Sequence, residues 1–398
     1  MGVVKSFLDV FRSGKREEEE GAAKAASQKE RYESFLKALT EGDLDARWTA
    51  VRSIGDLGEF SVGPLIRGLS DEYWIIRRGS ADTLGKIGIP AIPSLIEALD
   101  CTGEDVRQEV IRALLLIGEP AFPPLAAATG DPRPLVRKGA VQAIGSMGDA
   151  RGIPALVAAL KDADAGVRRE AAVALGNLGD AQAVDPLIGC LSDPKEPVRM
   201  AAMASLCSLG EPANAPLIRA LVDPAEDVRR RATLALVTIG EPAVEPLILA
   251  VTDSSAGIRR GAIEALGQIG NTRAIPSIIT ALNDPDREVR TVAVRALATI
   301  GVPAIAPLMQ VFREGESRVR SGAMEALWMI GQPATTPLIM VLKDNQTDVR
   351  KRAALLLGEI GDAKAIDHIT ALLADENVSV RREAFEALEM IKNKKNIP

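Results

Sequence analysis

Protein chemistry needs a nucleophile beside a base, two carboxylates held apart in pKa, or a cluster of metal ligands. These 398 residues contain few of those parts. The single histidine, His368, has Ile366 and Ile369 around it. It reads as a packed or half-exposed helix position rather than a ligand. Cys101, Cys190 and Cys207 show neither a C-x-x-C spacing nor an even count, so they predict reduced thiols in a reducing compartment rather than a zinc site or a disulfide framework. Serines are plentiful, but a serine without a base is not activated, and no G-x-S-x-G or phosphate-binding loop stands out. The expectation is a protein with no catalytic residue, no cofactor and no metal.

Arginine is the residue with a regular spacing. It recurs after a small or branched apolar residue at Arg47, Arg77, Arg107, Arg137, Arg168, Arg199, Arg229, Arg259, Arg290, Arg320, Arg350 and Arg381, in steps of 30 or 31. Nine of these twelve have an aspartate six residues earlier, from Asp71 to Asp375, which predicts a structural ladder of charge-assisted hydrogen bonds between adjacent loops rather than a phosphate site. A second basic residue often follows (Arg78, Lys138, Arg169, Arg230, Arg260, Lys351, Arg382) and would line one edge. Glu170, Asp227, Glu288 and Asp348 interleave with that stripe, and the net charge is −6. Both facts argue against a nucleic-acid partner.

Composition says which elements carry the arginines. The chain is 47% apolar and 26% charged, with only 7 Phe, 3 Trp and 2 Tyr, which excludes disorder and disfavours a β core. In the fifth unit Val167, Ala171, Ala174, Leu175 and Leu178 share one face of a helix, here called helix A. A glycine closes every unit but the last, where a positive φ can cap the helix: Gly58, Gly88, Gly118, Gly148, Gly179, Gly210, Gly240, Gly270, Gly301, Gly331 and Gly361. A shorter helix B follows, with proline in its first turn, as in Pro186-Leu187-Ile188 and Pro246-Leu247-Ile248. Asp193, Asp223, Asp253 and Asp284 then read as N-caps of the next helix A. Units whose glycine precedes a proline by two (Pro90, Pro120, Pro212, Pro242, Pro303, Pro333) step by 30, and those reading Gly-Asp-Ala or Gly-Asn-Thr step by 31.

A helix of about a dozen residues is marginal alone in water, so the hairpins must stack. The expected fold is all-α: a right-handed α-solenoid, or superhelix, of about twelve hairpins, roughly 100 Å along its contour at interhelical spacings of ~10 Å. The run Asp-Pro-x-x-x-Val-Arg-x-x-Ala-x-x-Ala-Leu-x-x-Ile-Gly-Glu-Pro-Ala-x-x-Pro-Leu-Ile at 223–248 resembles HEAT repeats of the short prokaryotic type, also called phycobilisome-lyase HEAT-like repeats. The resemblance covers about 43–391. It implies a fold more than a function, since that family includes scaffolds, regulatory subunits, chromophore-lyase subunits and one metalloenzyme class. Its iron-binding hydroxylase members carry His-Glu pairs; this chain has none.

The chain divides by sequence into an amphipathic segment 1–16, a linker with an N-terminal capping helix 17–42, and the repeat solenoid with its C-terminal cap 43–398. Val3, Val4, Phe7, Leu8 and Phe11 fall on one helical face with Lys5, Arg12, Lys15 and Arg16 around it, a pattern suited to peripheral membrane contact, a partner groove, or docking on the chain itself. No run of 18 apolar residues and no signal peptide is present, so a cytoplasmic location is expected, with membrane contact only at the periphery. In HEAT-like solenoids the B helices make the concave wall. One position per unit should point into it: Arg67, Glu97, Ala127, Ala158, Gly189, Arg219, Leu249, Thr280, Gln310, Met340 and Ala371. Only three are charged, which suits a protein or peptide partner better than a phosphate backbone. Arg67, Glu97, Arg219, Leu249, Thr280, Gln310 and Met340 are the candidate partner-binding residues, and a non-catalytic scaffold or adaptor is the leading function. An accessory subunit of a bilin lyase or other enzyme complex is the alternative, and nucleic-acid binding along the basic edge the lesser one. Trp328, where other units have Gly145, Gly176 or Gly267, either fills a packing gap or marks an anchor, and packing is the favoured reading.

Overall fold

Twelve A helices and eleven B helices alternate along the chain in a computed structural model that describes Ser27 and residues 29–395. No strand occurs among the described residues. The chain is an all-α solenoid built as two compact units: the residues up to Pro186 with Lys195–Ser205, and Leu187–Pro194 with the residues from Leu206 on. Ten of the twelve A helices have 14 residues, as in Ala165–Leu178, while most B helices have only six or seven, as in Ile92–Ala98. A further helix, 29–41, precedes the first repeat, with Phe35, Leu36 and Leu39 half-buried. The amphipathic segment 1–16 lies outside the described residues.

Burial follows the helical period. Val167, Ala171, Ala174 and Leu175 are buried and Leu178 is half-buried, while the B helices contribute one central leucine or isoleucine each, such as Leu125, Leu217 and Ile278. Alanine at many of the buried A positions lets neighbouring helices approach closely.

All eleven closing glycines have positive φ, but in two different conformations. Gly118, of the proline type, has φ 77° and ψ −138°, a region closed to L side chains, and it serves directly as the N-cap of the short turn Glu119–Ala121. Gly361, of the Gly-Asp type, is left-handed at φ 81° and ψ 17°. The residue after it, Asp362, is the one that caps the turn, accepting from the Lys364 N–H at 3.0 Å. That extra capping residue is the physical origin of the 31-residue step.

The same Gly-Asp or Gly-Asn units carry a second glycine three residues earlier, at Gly145, Gly176, Gly267 and Gly358. A Cβ on Gly358 would stand 2.7 Å from the Cα of Ala387, so this pair of A helices packs backbone against backbone. Gly267 sits as close to Ala296. Most proline-type units fill the slot with a side chain instead: Leu115, Cys207, Val237, Ala298 and Trp328, with Gly85 the exception. The chain therefore mixes two kinds of repeat, close-packed and spaced.

The expected N-caps require correction. Asp223, Asp253 and Asp284 lie three residues before the helices Glu226–Ile239, Ala256–Ile269 and Arg287–Ile300, whose caps are Ala225, Ser255 and Asp286. Each of those three aspartates instead accepts the N–H two residues on at 2.8 Å, closing an Asx turn. The turn ends one hairpin before the next helix starts, so two residues share a task that the sequence reading gave to one. Asp43, Asp164 and Asp286 are side-chain caps in fact.

Candidate interaction surface

The repeated arginine forms a ladder, by a route different from the expected one. Its Nη1 donates to the backbone carbonyl of the aspartate six residues earlier in eight units, at 2.7–2.9 Å. At Asp162, Asp284 and Asp375 the carboxylate faces the preceding unit. Arg137 grips Asp162, Arg259 grips Asp284 and Arg350 grips Asp375, each with two parallel bonds of 2.7–3.0 Å. All three belong to close-packed units, so glycine contact, left-handed turn and two-pronged rung coincide. In the third unit Cys101 stands in the aspartate slot, and the buried Arg107 still donates to its carbonyl. The arginine therefore reads the turn's backbone, and the side chain in the slot serves the neighbour. Hydrogen bonding from Arg350, opposed by burial, holds the Asp375 carboxyl below its ordinary range. These arginines are consumed internally, which leaves them no role toward an external phosphate.

Every position of the predicted B-helix row is exposed. Leu249 and Met340 are the extreme cases, 74% and 72% exposed although large and apolar. Glu97 is exposed but engaged: Arg133 binds it at 2.7 Å and also holds Asp131 at 2.9 Å, drawing the Asp131 carboxyl down to about 2. The row places one exposed candidate position on each B helix.

Two grooves interrupt the B-helix layer. One of about 1040 Å³, between the B helices Val62–Gly68, Ile92–Ala98 and Phe122–Ala128, is floored by Ile66, Ile89, Ile96, Pro120 and Pro124. Sequence reasoning passed over it, although Ile89 was a signal: the same slot is Glu119, Glu211 and Glu241 in three of the other five proline-type units. The second, of about 630 Å³, lies between Thr335–Met340 and Ile366–Ala371. His368 lines it, exposed, alongside Asp367 and the Arg350–Asp375 pair. Among the described residues no group of three or more His, Cys, Asp and Glu is arranged to hold a metal ion.

Trp328 corrects another expectation. It is half exposed and borders an open groove on the A helices with Met324, Glu325, Glu359 and Met390. The gap is real, but the ring lies at its mouth.

Comparison with known proteins identifies the architecture. Seven overlapping matches to the HEAT-repeat model span 32–115, 92–173, 153–237, 214–282, 244–328, 275–346 and 335–398. The chain belongs to the HEAT-repeat family. Among curated proteins nothing matches. Among solved structures it is similar to Kap121p bound to Nup53p (16% identity, TM-score 0.42, 92% of this chain and 49% of that one) and to importin beta (16%, 0.35, 90% and 62%). An engineered protein also matches, at 22% identity and TM-score 0.26, over 91% of this chain and 99% of its own. The chain spans about half the length of the Kap121p chains it matches. Among the described residues no single helix is long and apolar enough to cross a membrane.

Proposed function

We propose that this HEAT-repeat chain is a non-catalytic scaffold or adaptor that binds a protein or peptide partner along its B-helix face. One observation carries the reading. In every repeat with a B helix the row position is solvent-exposed, and at Leu249 and Met340 it holds a large apolar side chain that the fold itself does not use. These two side chains have the highest exposure of any large apolar residues described, and a methionine adapts its shape to different partners. Arg67, Arg219, Thr280 and Gln310 supply polar contacts around these anchors. The finer type of repeat, short prokaryotic and phycobilisome-lyase-like, is supported by the 30- to 31-residue period and the Gly-Glu-Pro-Ala turns.

The test is capture of partner from the native cell by the wild-type chain and by a Leu249→Asp, Met340→Asp double variant. Because both side chains lie outside the core, the variant keeps its helical circular dichroism. Its capture of the wild-type partner falls at least about tenfold, the equivalent of ~1.4 kcal/mol. Equal capture by both proteins would remove the B-helix face as the working surface.

A further inference from the structure

The groove at Ile66, Ile89, Ile96, Pro120 and Pro124 is the largest apolar concavity described above, and nothing in the described fold fills it. Its floor is hydrocarbon, with Ile89 64% exposed. Its rim is charged unevenly. Arg67 stands exposed beside Ile66 at the first-repeat end, while Glu97, Asp100 and Asp131 cluster around Arg133 at the other, with Arg137 behind Asp131. An occupant must therefore be apolar on one face, basic over repeats two and three, and acidic where it crosses repeat one.

We propose that residues 1–20 of this chain are that occupant. Val3, Val4, Phe7, Leu8 and Phe11 supply the apolar face, and Lys5, Arg12, Lys15 and Arg16 the positive charge opposite the Glu97, Asp100 and Asp131 rim. The acidic run Glu17–Glu20 comes next, in the order needed to meet Arg67 as the chain leaves the groove toward the first repeat. Dimensions agree as well. Residues 3–16 as a helix measure ~21 Å, and three B helices side by side span ~20 Å between outer axes. Ser27 is already helical, so residues 17–26 form the connection, with a reach of up to ~33 Å when extended, enough for the two or three helix widths to be crossed. Tethering raises the local concentration of the segment to about millimolar, so even weak apolar docking is populated. The groove and this occupant belong to a different unit from Leu249 and Met340, so the inference stands whether or not those residues bind a partner.

Photo-cross-linking of the full chain tests it. With p-benzoylphenylalanine in place of Phe7, irradiation of the dilute protein joins position 7 to residues 89–97 or 120–124 of the same chain, located by mass spectrometry. Ile89→Asp, at an exposed position, leaves the urea midpoint unchanged and cuts that product about tenfold. High salt lowers it in the wild-type groove, because charge pairs at the rim are screened. The proposal is overturned by cross-links that map elsewhere on the chain, by a product joining two copies, by transfer of the label to lipid when anionic vesicles are present, or by a yield that Ile89→Asp does not change.

Discussion

A closing glycine and an arginine with its aspartate set the terms at the scale of single residues. Gly118 and Gly361 look alike in the sequence but differ by more than a right angle in ψ. Asparagine tolerates the left-handed conformation of Gly361 and not that of Gly118. Gly118→Asn is expected to cost about 1–3 kcal/mol and Gly361→Asn less than about 1 kcal/mol, compared through urea midpoints of the two variants. At the Arg350–Asp375 rung, Asp375→Asn keeps the Asx turn but removes the charge, at a cost of about 1–3 kcal/mol near neutrality. The native carboxyl is held below its ordinary range, mainly by hydrogen bonding from Arg350. Its contribution is thus complete above the unfolded value of about 3.9 and disappears as pH falls through the lower native one. Stability curves of wild type and Asp375→Asn should accordingly converge in strong acid. A constant gap between them would show that the charge is not what the rung uses.

Helix pairs inherit these choices. Where Gly358 meets Ala387 the A helices touch through backbone, and Gly358→Leu must push them apart, costing about 1–3 kcal/mol as an overpacked contact. Trp328 occupies the equivalent slot of a spaced unit, half exposed, and Trp328→Ala should change stability by no more than about 0.5 kcal/mol. Thermal unfolding of the two variants separates the classes; equal losses would deny the distinction. The helices themselves were legible from the 3.6-residue period, and the two turn lengths from proline at 90 or 120 against Asp or Asn at 362 or 271. What the sequence concealed was direction. An aspartate six residues before an arginine looks like its partner, yet its carboxylate serves the arginine 25 residues upstream, because the Asx turn rotates it toward the previous hairpin. Trp328 was misjudged for a related reason: spacing shows that a slot exists, while the separation of the two helices decides whether a ring enters it.

Over the whole molecule, function depends on what the stack leaves unused. Arginines that could hold phosphate are spent on turns and rungs, the histidine stands without a metal-ligand cluster, and no disulfide joins the cysteines among the described residues. Exposure of the B-helix row was readable in advance from one position per repeat, since period and register fix which side of a helix faces outward. The groove beneath Ile89 was not, because a concavity depends on how far apart three helices stand. The central claim is that binding belongs to the B helices. Hydrogen exchange of the chain, free and loaded with the partner it captures, tests this most directly. Protection should concentrate in the B helices, with Glu241–Ala250 and Thr335–Met340 foremost, and leave the outer faces of the A helices unchanged. Protection confined to A helices such as Ser317–Ile330, where Trp328 lies, would contradict it.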